Sequence, residues 1–380
     1  VHHHHRPRRA RGTRGTRGDG RLAELDLLRF VAALAVLAFH YLVAYASVWG
    51  ERPAELFPAA APFAGLGILG VELFFVISGF VILMSAWGRS LGAFARSRLV
   101  RLYPAYWLSL AAVAALYGLT DAKALDPRLS PGDYAVNATM FQRLFGVTDA
   151  AGVYWSLWAE LRFYLIMAVL VVIGVTYGRV LVLGGLWLAA ALGAELLGND
   201  LLNEIVMPRY APYFVAGMAL YLIHKHGSAW LPWLYVVAGW AMSLHAALER
   251  VHGRIKVAGF KNMPVTDVSV IVTITVVFAV MALVALGLLR LRPSKVLTAL
   301  GSTTYPLYLL HSAVAVALVP RLTGALPPWL TATVTALAAI VLSYLVYTFA
   351  ERPIQRLLRP RRTAAAHPAP AVQVEKASVP

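Results

Sequence analysis

Apolar residues in this chain fall into ten long runs, at 27–47, 67–86, 102–119, 157–175, 179–198, 207–224, 229–248, 268–290, 303–320 and 329–350, with short polar stretches between them. Each run holds about twenty residues, enough for a helix to cross about 30 Å of hydrocarbon. The pattern predicts an all-α, polytopic integral membrane protein with about ten transmembrane helices in one bundle. An even number of crossings leaves both termini on one side. The membrane unit covers 22–355, whereas 1–21, rich in arginine, glycine and threonine, and 356–380, rich in proline and alanine, are expected to be disordered tails. The first apolar run is too long for a cleavable signal and lacks a small-residue cleavage site behind it. No internal repeat and no attached soluble domain are visible.

Composition agrees with the pattern. Hydrophobic residues make up 59% of the 380 positions and charged residues only 14%, against about a quarter charged in soluble domains. The net charge of +16 follows orientation rather than nucleic-acid binding, because the basic residues alternate from loop to loop. Arg14, Arg17 and Arg21 precede the first run; Arg89, Arg96, Arg98 and Arg101 precede the third; Arg179, Lys225, Arg290, Arg292, Lys295 and Arg352, Arg356, Arg359, Arg361, Arg362 continue the same side. That side is read as cytoplasmic, in a multi-pass protein of the plasma membrane with both termini inside. The other side carries Glu51, Glu55, Asp121, Asp126, Asp133, Asp149, Asp200 and Glu204, with one dissenting group, Arg250, Arg254, Lys256 and Lys261. The absence of cysteine removes thiol nucleophiles, disulfides and iron–sulfur chemistry. The His2–His5 run at an unstructured terminus reads as a tag remnant or inert tail, and no metal site is expected.

Ionisable residues inside apolar runs are costly and point to function. The first run carries Asp26 and Arg29 at its mouth and His40 deep inside. At about 100° per residue, Arg29 and His40 share one helix face some 16 Å apart, with Asp26 within about 40° of that line. Counting depth from alternate sides puts Glu72 and Glu160 at the level of His40, and Ser156, Glu160 and Tyr164 on one face. A histidine held by a carboxylate can take a proton from a hydroxyl, as a general base for acyl transfer does. The competing reading of His40 is a polar residue that glues helices together, and Glu72 and Glu160 can equally pair with Arg162 or cap a helix start. Arg98 and Arg101, three residues apart, can grip one phosphate group, although arginines at a helix end also serve as orientation anchors. Tyr305, Tyr308, His311 and Ser312 form a further polar stripe, with His311 deeper than an interfacial belt explains.

These segments together resemble acyltransferase family 3, the integral membrane O-acyltransferases, over about residues 22–355. The likeness rests on Leu25-Asp-Leu-Leu-Arg-Phe30 with His40 downstream, Gly70-Val-Glu-Leu-Phe-Phe-Val-Ile-Ser-Gly-Phe80, Arg98-Leu-Val-Arg-Leu-Tyr-Pro-Ala-Tyr106, Trp155-Ser-Leu with Glu160 and Phe163-Tyr164, Tyr305-Pro-Leu-Tyr-Leu-Leu-His311, and Glu351-Arg-Pro353. Each piece is modest, and six in order are specific. Trp158, Ala159 and Arg162 depart from the residues common in the family and bear on the acceptor. The resemblance implies transfer of an acyl group from cytoplasmic acyl-coenzyme A, a co-substrate rather than a bound cofactor, to a hydroxyl on a sugar, glycolipid, envelope polymer or macrolide. It implies a catalytic role for His40, donor binding by Arg98 and Arg101, and a motif role for Trp155, Ser156 and Glu160. On this reading Glu160, or else Glu72, orients the imidazole, which acts as a base or takes the acyl group transiently. Arg29 and Asp26 line the donor entrance, and Tyr308 and His311 hydrogen-bond the oxyanion. The alternative is a transporter or flippase using the buried His and Glu as a proton relay; it calls for an inverted repeat.

Overall fold

A computed structural model describes residues 22–119, 129–257 and 265–358. The expected tails at 1–21 and beyond 358 lie outside the described residues, as does Lys261. Each of the ten apolar runs becomes a helix: α1 Ala23–Phe39, α2 Gly70–Ala86, α3 Leu91–Leu119, α4 Trp155–Ile173, α5 Tyr177–Leu197, α6 Ala211–His226, α7 Trp230–Val257, α8 Asp267–Leu286, α9 Lys295–Leu322 and α10 Pro328–Val346. Among the described residues nine helical stretches are long and apolar enough to cross a membrane, and no named strand occurs. The protein is an all-α, multi-pass membrane protein. The run expected at 207–224 is the exception in length, forming the sixteen-residue α6.

Local chemistry fixes the helix ends. Thr176, Thr266 and Ser294 accept backbone N–H groups at the starts of α5, α8 and α9, and Gly198 and Gly287 close α5 and α8 with positive φ. Outer helices keep apolar side chains exposed, among them Val169, Val172, Leu186, Val276, Leu337 and Val341, as lipid-facing surfaces do. By contrast, α6 buries every residue from Ala211 to Ile223, which marks it as the core of the bundle. Its contact with α2 runs backbone to backbone. A Cβ on Gly217 would lie 2.1 Å from the Val76 carbonyl, and one on Gly79 would lie 2.2 Å from that of Phe214. Small residues permit such an approach, which drives helix association where apolar burial alone offers no preference over lipid.

Chain direction can be read from contacts at the helix ends. Glu24 at the start of α1 accepts the Leu291 N–H just before α9, 2.7 Å away. Arg101, early in α3, pairs with Glu351 after α10 at 3.3 Å. These ends define a near face. At the opposite, far face Glu72, early in α2, pairs with Arg250, late in α7, at 3.1 Å.

Two helices run on through π turns. After α1 the Tyr45 N–H bonds to the His40 carbonyl at 3.0 Å across the turn His40–Ala44, and after α10 the turn Tyr347–Glu351 leads into the helix Arg352–Leu358. That last helix carries order three residues past the boundary expected at 355. α7 also exceeds its expected end at 248 and reaches Val257. Arg250 and Arg254 therefore stand on a helix and not in a loop.

Candidate functional site

Helices α1 and α9 both begin at the near face and pack side by side. His40 lies seventeen residues beyond Ala23 and His311 sixteen beyond Lys295, so at about 1.5 Å per residue both rise to roughly 25 Å. The His311 Nε2 stands 3.1 Å from the His40 Nδ1, with ring centroids 5.0 Å apart. Tyr41 donates to the His311 carbonyl at 2.8 Å, and the hydroxyls of Tyr45 and Ser312 share a hydrogen bond, which pins the π turn to α9. His311 is fully buried, and His40 is half-buried.

The partners of these rings set their tautomers. His311 Nδ1 faces the carbonyls of Leu307 at 3.1 Å and Tyr308 at 2.9 Å. Carbonyls only accept, so this nitrogen carries the proton and Nε2 presents a lone pair. His40 Nδ1 faces that lone pair and the Val36 carbonyl at 2.9 Å. Two acceptors around one nitrogen require it to be the donor. The free lone pair of His40 is consequently on Nε2, the atom able to take a proton.

A cavity of about 110 Å³ lies alongside, lined by Arg29, Arg98, Arg101, Ser156, Glu160, Tyr164, Tyr305 and Tyr308 among others. Glu160 accepts from Tyr164 at 2.6 Å and Ser78 at 3.2 Å. Arg98 lies over the rings of Phe94 and Tyr164 and forms no ion pair among the described residues. Arg101 pairs with Glu351, a carboxylate with no side-chain exposure that also accepts from Gln355 at 2.7 Å. Ser156 and Tyr308 bridge at 2.7 Å across the cavity wall, and the Tyr308 ring centroid is 6.1 Å from that of His311. One aromatic ring therefore separates the guanidiniums from the histidine pair.

A second, larger cavity of about 320 Å³ opens near the far face, lined by Glu72, Trp155, Arg209, Tyr210, Tyr213, Glu249, Arg250 and Arg254 among others. Arg250 lies over the Trp155 ring at 4.3 Å. Among the described residues no group of three or more His, Cys, Asp or Glu side chains is disposed to hold a metal.

Several sequence expectations change here. Among the described residues no carboxylate orients His40: Glu72 is bound to Arg250, Glu160 to two hydroxyls, and the neighbour is His311. Parallel α1 and α9 reach one level side by side, whereas the two acids separate into different cavities. His311 meets His40 through Nε2 and is tied to carbonyls through Nδ1, which occupies the nitrogens assigned to an oxyanion. Asp26 is not among the residues that line the near-face cavity. It is 3% exposed and packs on α9 at Gly301, where a Cβ would lie 2.3 Å from its Oδ1. Arg162 pairs with Glu204 at 2.8 Å, joined by the Trp158 indole, and with neither expected acid. Trp155 and Ser156, adjacent in sequence, face different cavities. Glu351, met in the sequence only as part of the terminal Glu-Arg-Pro motif, holds Arg101, and Arg250, read as a topological anomaly, holds Glu72. In both cases the signal was an ionisable residue at the end of an apolar run.

Comparison with known proteins points one way. The family model described as "Acyltransferase domain" matches residues 22–348. The chain is similar to Acyltransferase MdmB of Streptomyces mycarofaciens, 29% identical over 389 residues that cover 92% of this chain and 96% of that protein. It is also similar to Exopolysaccharide production protein ExoZ of Rhizobium meliloti (strain 1021), 27% identical over 323 residues covering 79% and 93% respectively. No solved structure matches.

Proposed function

The chain belongs to acyltransferase family 3, and from that premise we propose that it moves an acyl group, short such as acetyl, from cytoplasmic acyl-coenzyme A to a hydroxyl of a carbohydrate-containing acceptor at the far face. The near face is taken as cytoplasmic from the loop arginines. Arg98, Arg101 and Arg29 hold the donor phosphates, since a guanidinium forks onto phosphate oxygens in charge-assisted bonds. The acyl thioester passes Ser156 and Tyr308 towards His40.

His40 Nε2 takes the proton of the acceptor hydroxyl as its oxygen attacks the thioester carbonyl. The new C–O bond forms, the oxyanion collapses, and the C–S bond breaks. The departing thiolate takes the proton back from His40, leaving coenzyme A thiol and the acyl ester. His311 is a positioning residue: its Nε2 lone pair accepts from His40 Nδ1–H, holds the useful tautomer and stabilises the imidazolium. The Ser156 and Tyr308 hydroxyls are the candidates to meet the oxyanion.

The observation that carries this reading is the 3.1 Å contact between His311 Nε2 and His40 Nδ1, with the far side of His311 fixed to two carbonyls. Purified protein in lipid nanodiscs, given acetyl-coenzyme A labelled in the acetyl group, tests it. The expected result is release of free thiol, with label transferred to an acceptor sugar or slowly to water. Donor left intact, or acetyl-coenzyme A merely carried across a vesicle wall, would overturn it.

A further inference from the structure

Membrane orientation does not account for the arginines at the end of α7. Most basic residues near helix ends gather at the near face, as the orientation pattern requires, but Arg209 before α6 and Arg321 at the end of α9 share the far side with those of α7. In the fold these arginines are not scattered. Ala246, Glu249, Arg250, Gly253 and Arg254 lie on one stripe of α7 and together form a wall of the far-face cavity.

The charges in this cavity do not balance. Three guanidiniums, Arg209, Arg250 and Arg254, stand against two carboxylates, Glu72 and Glu249. Arg250 is bound to Glu72 at 3.1 Å, and Arg209 to Glu249 at 3.4 Å. Arg254 pairs with no acid among the described residues. Glu72 is 2% exposed, and its Oε2 is buried without a hydrogen-bond partner behind the cavity wall. Trp155 and Tyr210, with ring centroids 5.6 Å apart, give the cavity an aromatic side. The segment Ala61–Leu69 packs against both the His40 turn and α7.

Building on the acyltransferase reading above, we propose that this cavity recognises the acceptor, and that it selects a saccharide carrying an anionic group, a carboxylate or a phosphate, which Arg254 binds. The ring of the sugar lies on the aromatic side, its hydroxyls reach Tyr210, and one hydroxyl is directed to His40. Arg250 is held by Glu72 and Trp155 and shapes the cavity, whereas Arg254 is free to meet the ligand.

Equilibrium binding on the intact protein in nanodiscs tests this without requiring turnover. The probes are digalacturonic acid, its dimethyl ester, and glucose 1-phosphate with glucose as its neutral counterpart. A charge-assisted contact at a partly open site predicts binding of at least one anionic probe about tenfold or more tighter than its neutral partner. That preference should shrink as salt rises, vanish in Arg254→Gln and return in part in Arg254→Lys. Arg254 has no ion-pair partner among the described residues, so its loss should leave the fold intact; an unchanged melting temperature verifies this. A preference for the diacid identifies a carboxylate and a preference for the sugar phosphate identifies a phosphate, and both support the proposal. Equal binding of charged and neutral probes, or a preference that survives Arg254→Gln, overturns it. Thiol release from acetyl-coenzyme A, measured on the same preparation, reports separately on the acyltransferase reading.

Discussion

The two cavities of the bundle are built from the same parts, guanidiniums beside aromatic rings with a carboxylate, but they differ in what that carboxylate is bound to. On the near side Arg29, Arg98 and Arg101 share a cavity with Glu160, whose oxygen is committed to Tyr164 and Ser78. On the far side both carboxylates are paired with guanidiniums, and among the described residues that line the cavity Arg254 is in no ion pair. A cavity whose own carboxylate is bound to hydroxyls, with Arg101 paired to Glu351 and Arg98 in no ion pair among the described residues, suits a ligand with several phosphates; the far cavity suits a single anion. The histidine pair sits between these demands and touches neither set of arginines.

This separation makes the largest prediction. His40→Ala removes the atom that takes the proton but leaves both cavities whole. Transfer should fall about 10²–10⁴-fold while donor binding stays within twofold. Single-turnover transfer and equilibrium binding of a non-transferable acyl-coenzyme A analogue, measured side by side, read the two quantities. A loss of donor affinity equal to the loss of rate would mean that the histidine belongs to the donor cavity after all.

Next in size is the contrast between Arg98 and Arg101, which sequence alone presents as a matched pair. Arg98→Ala should weaken donor binding about 10–100-fold, the worth of one charge-assisted contact, with little change in melting temperature. Arg101→Ala carries a second cost, because Glu351 would be left buried and unpaired, a situation that costs about 3–5 kcal/mol. Thermal unfolding should therefore separate the two variants, and Arg101→Ala combined with Glu351→Gln should recover most of the stability but none of the donor affinity. Equal melting temperatures for both single variants would show that Glu351 does not depend on Arg101.

How much of this was open to sequence reading follows from range. All ten helices were legible because a run of apolar residues is a local signal, and α3, α7 and α9 differed only where polar turns extended the helix beyond its apolar part. Which polar residues occupy the interior was legible too, since Arg29, Arg98, Arg101, Ser156, Glu160 and Tyr308 line one cavity. Partnership was not. Depth along a helix can be counted, but the angle at which one helix faces another depends on contacts such as Gly79 against Phe214 and Gly217 against Val76, and on a π turn that redirects the chain at His40. Glu72, Glu160 and His40 therefore satisfied a count of depth and still faced different neighbours.

The contact at the α2–α6 crossing gives a prediction that spans both cavities. Helix α2 supplies Phe74, Phe75 and Ser78 to the near cavity and Glu72 to the far one. Gly79→Ala would place a methyl group 2.2 Å from the Phe214 carbonyl, forcing the helices apart at a cost of about 1–3 kcal/mol, as overpacked cores show. Donor and acceptor affinities should fall together, by a few fold each, with a lower melting temperature. A change in only one affinity would mean that the two cavities do not share this wall.

A single modest effect is the most informative about the histidine pair. If His311 holds the His40 tautomer through an accepted hydrogen bond, what matters at position 311 is an acceptor and not an imidazole. His311→Ala should lower kcat about tenfold, the worth of one oriented hydrogen bond, and leave the KM for donor unchanged. His311→Asn, whose side-chain oxygen can accept from His40 Nδ1–H, should regain part of that loss. Both variants remove the same ring from the core and disturb packing to a similar extent. A purely structural His311 would therefore make them equally impaired, with parallel losses in melting temperature. Recovery in Asn without recovery in Ala separates orientation from packing, and a rise in KM for donor with kcat intact would move His311 out of the reaction and into the wall of the near cavity.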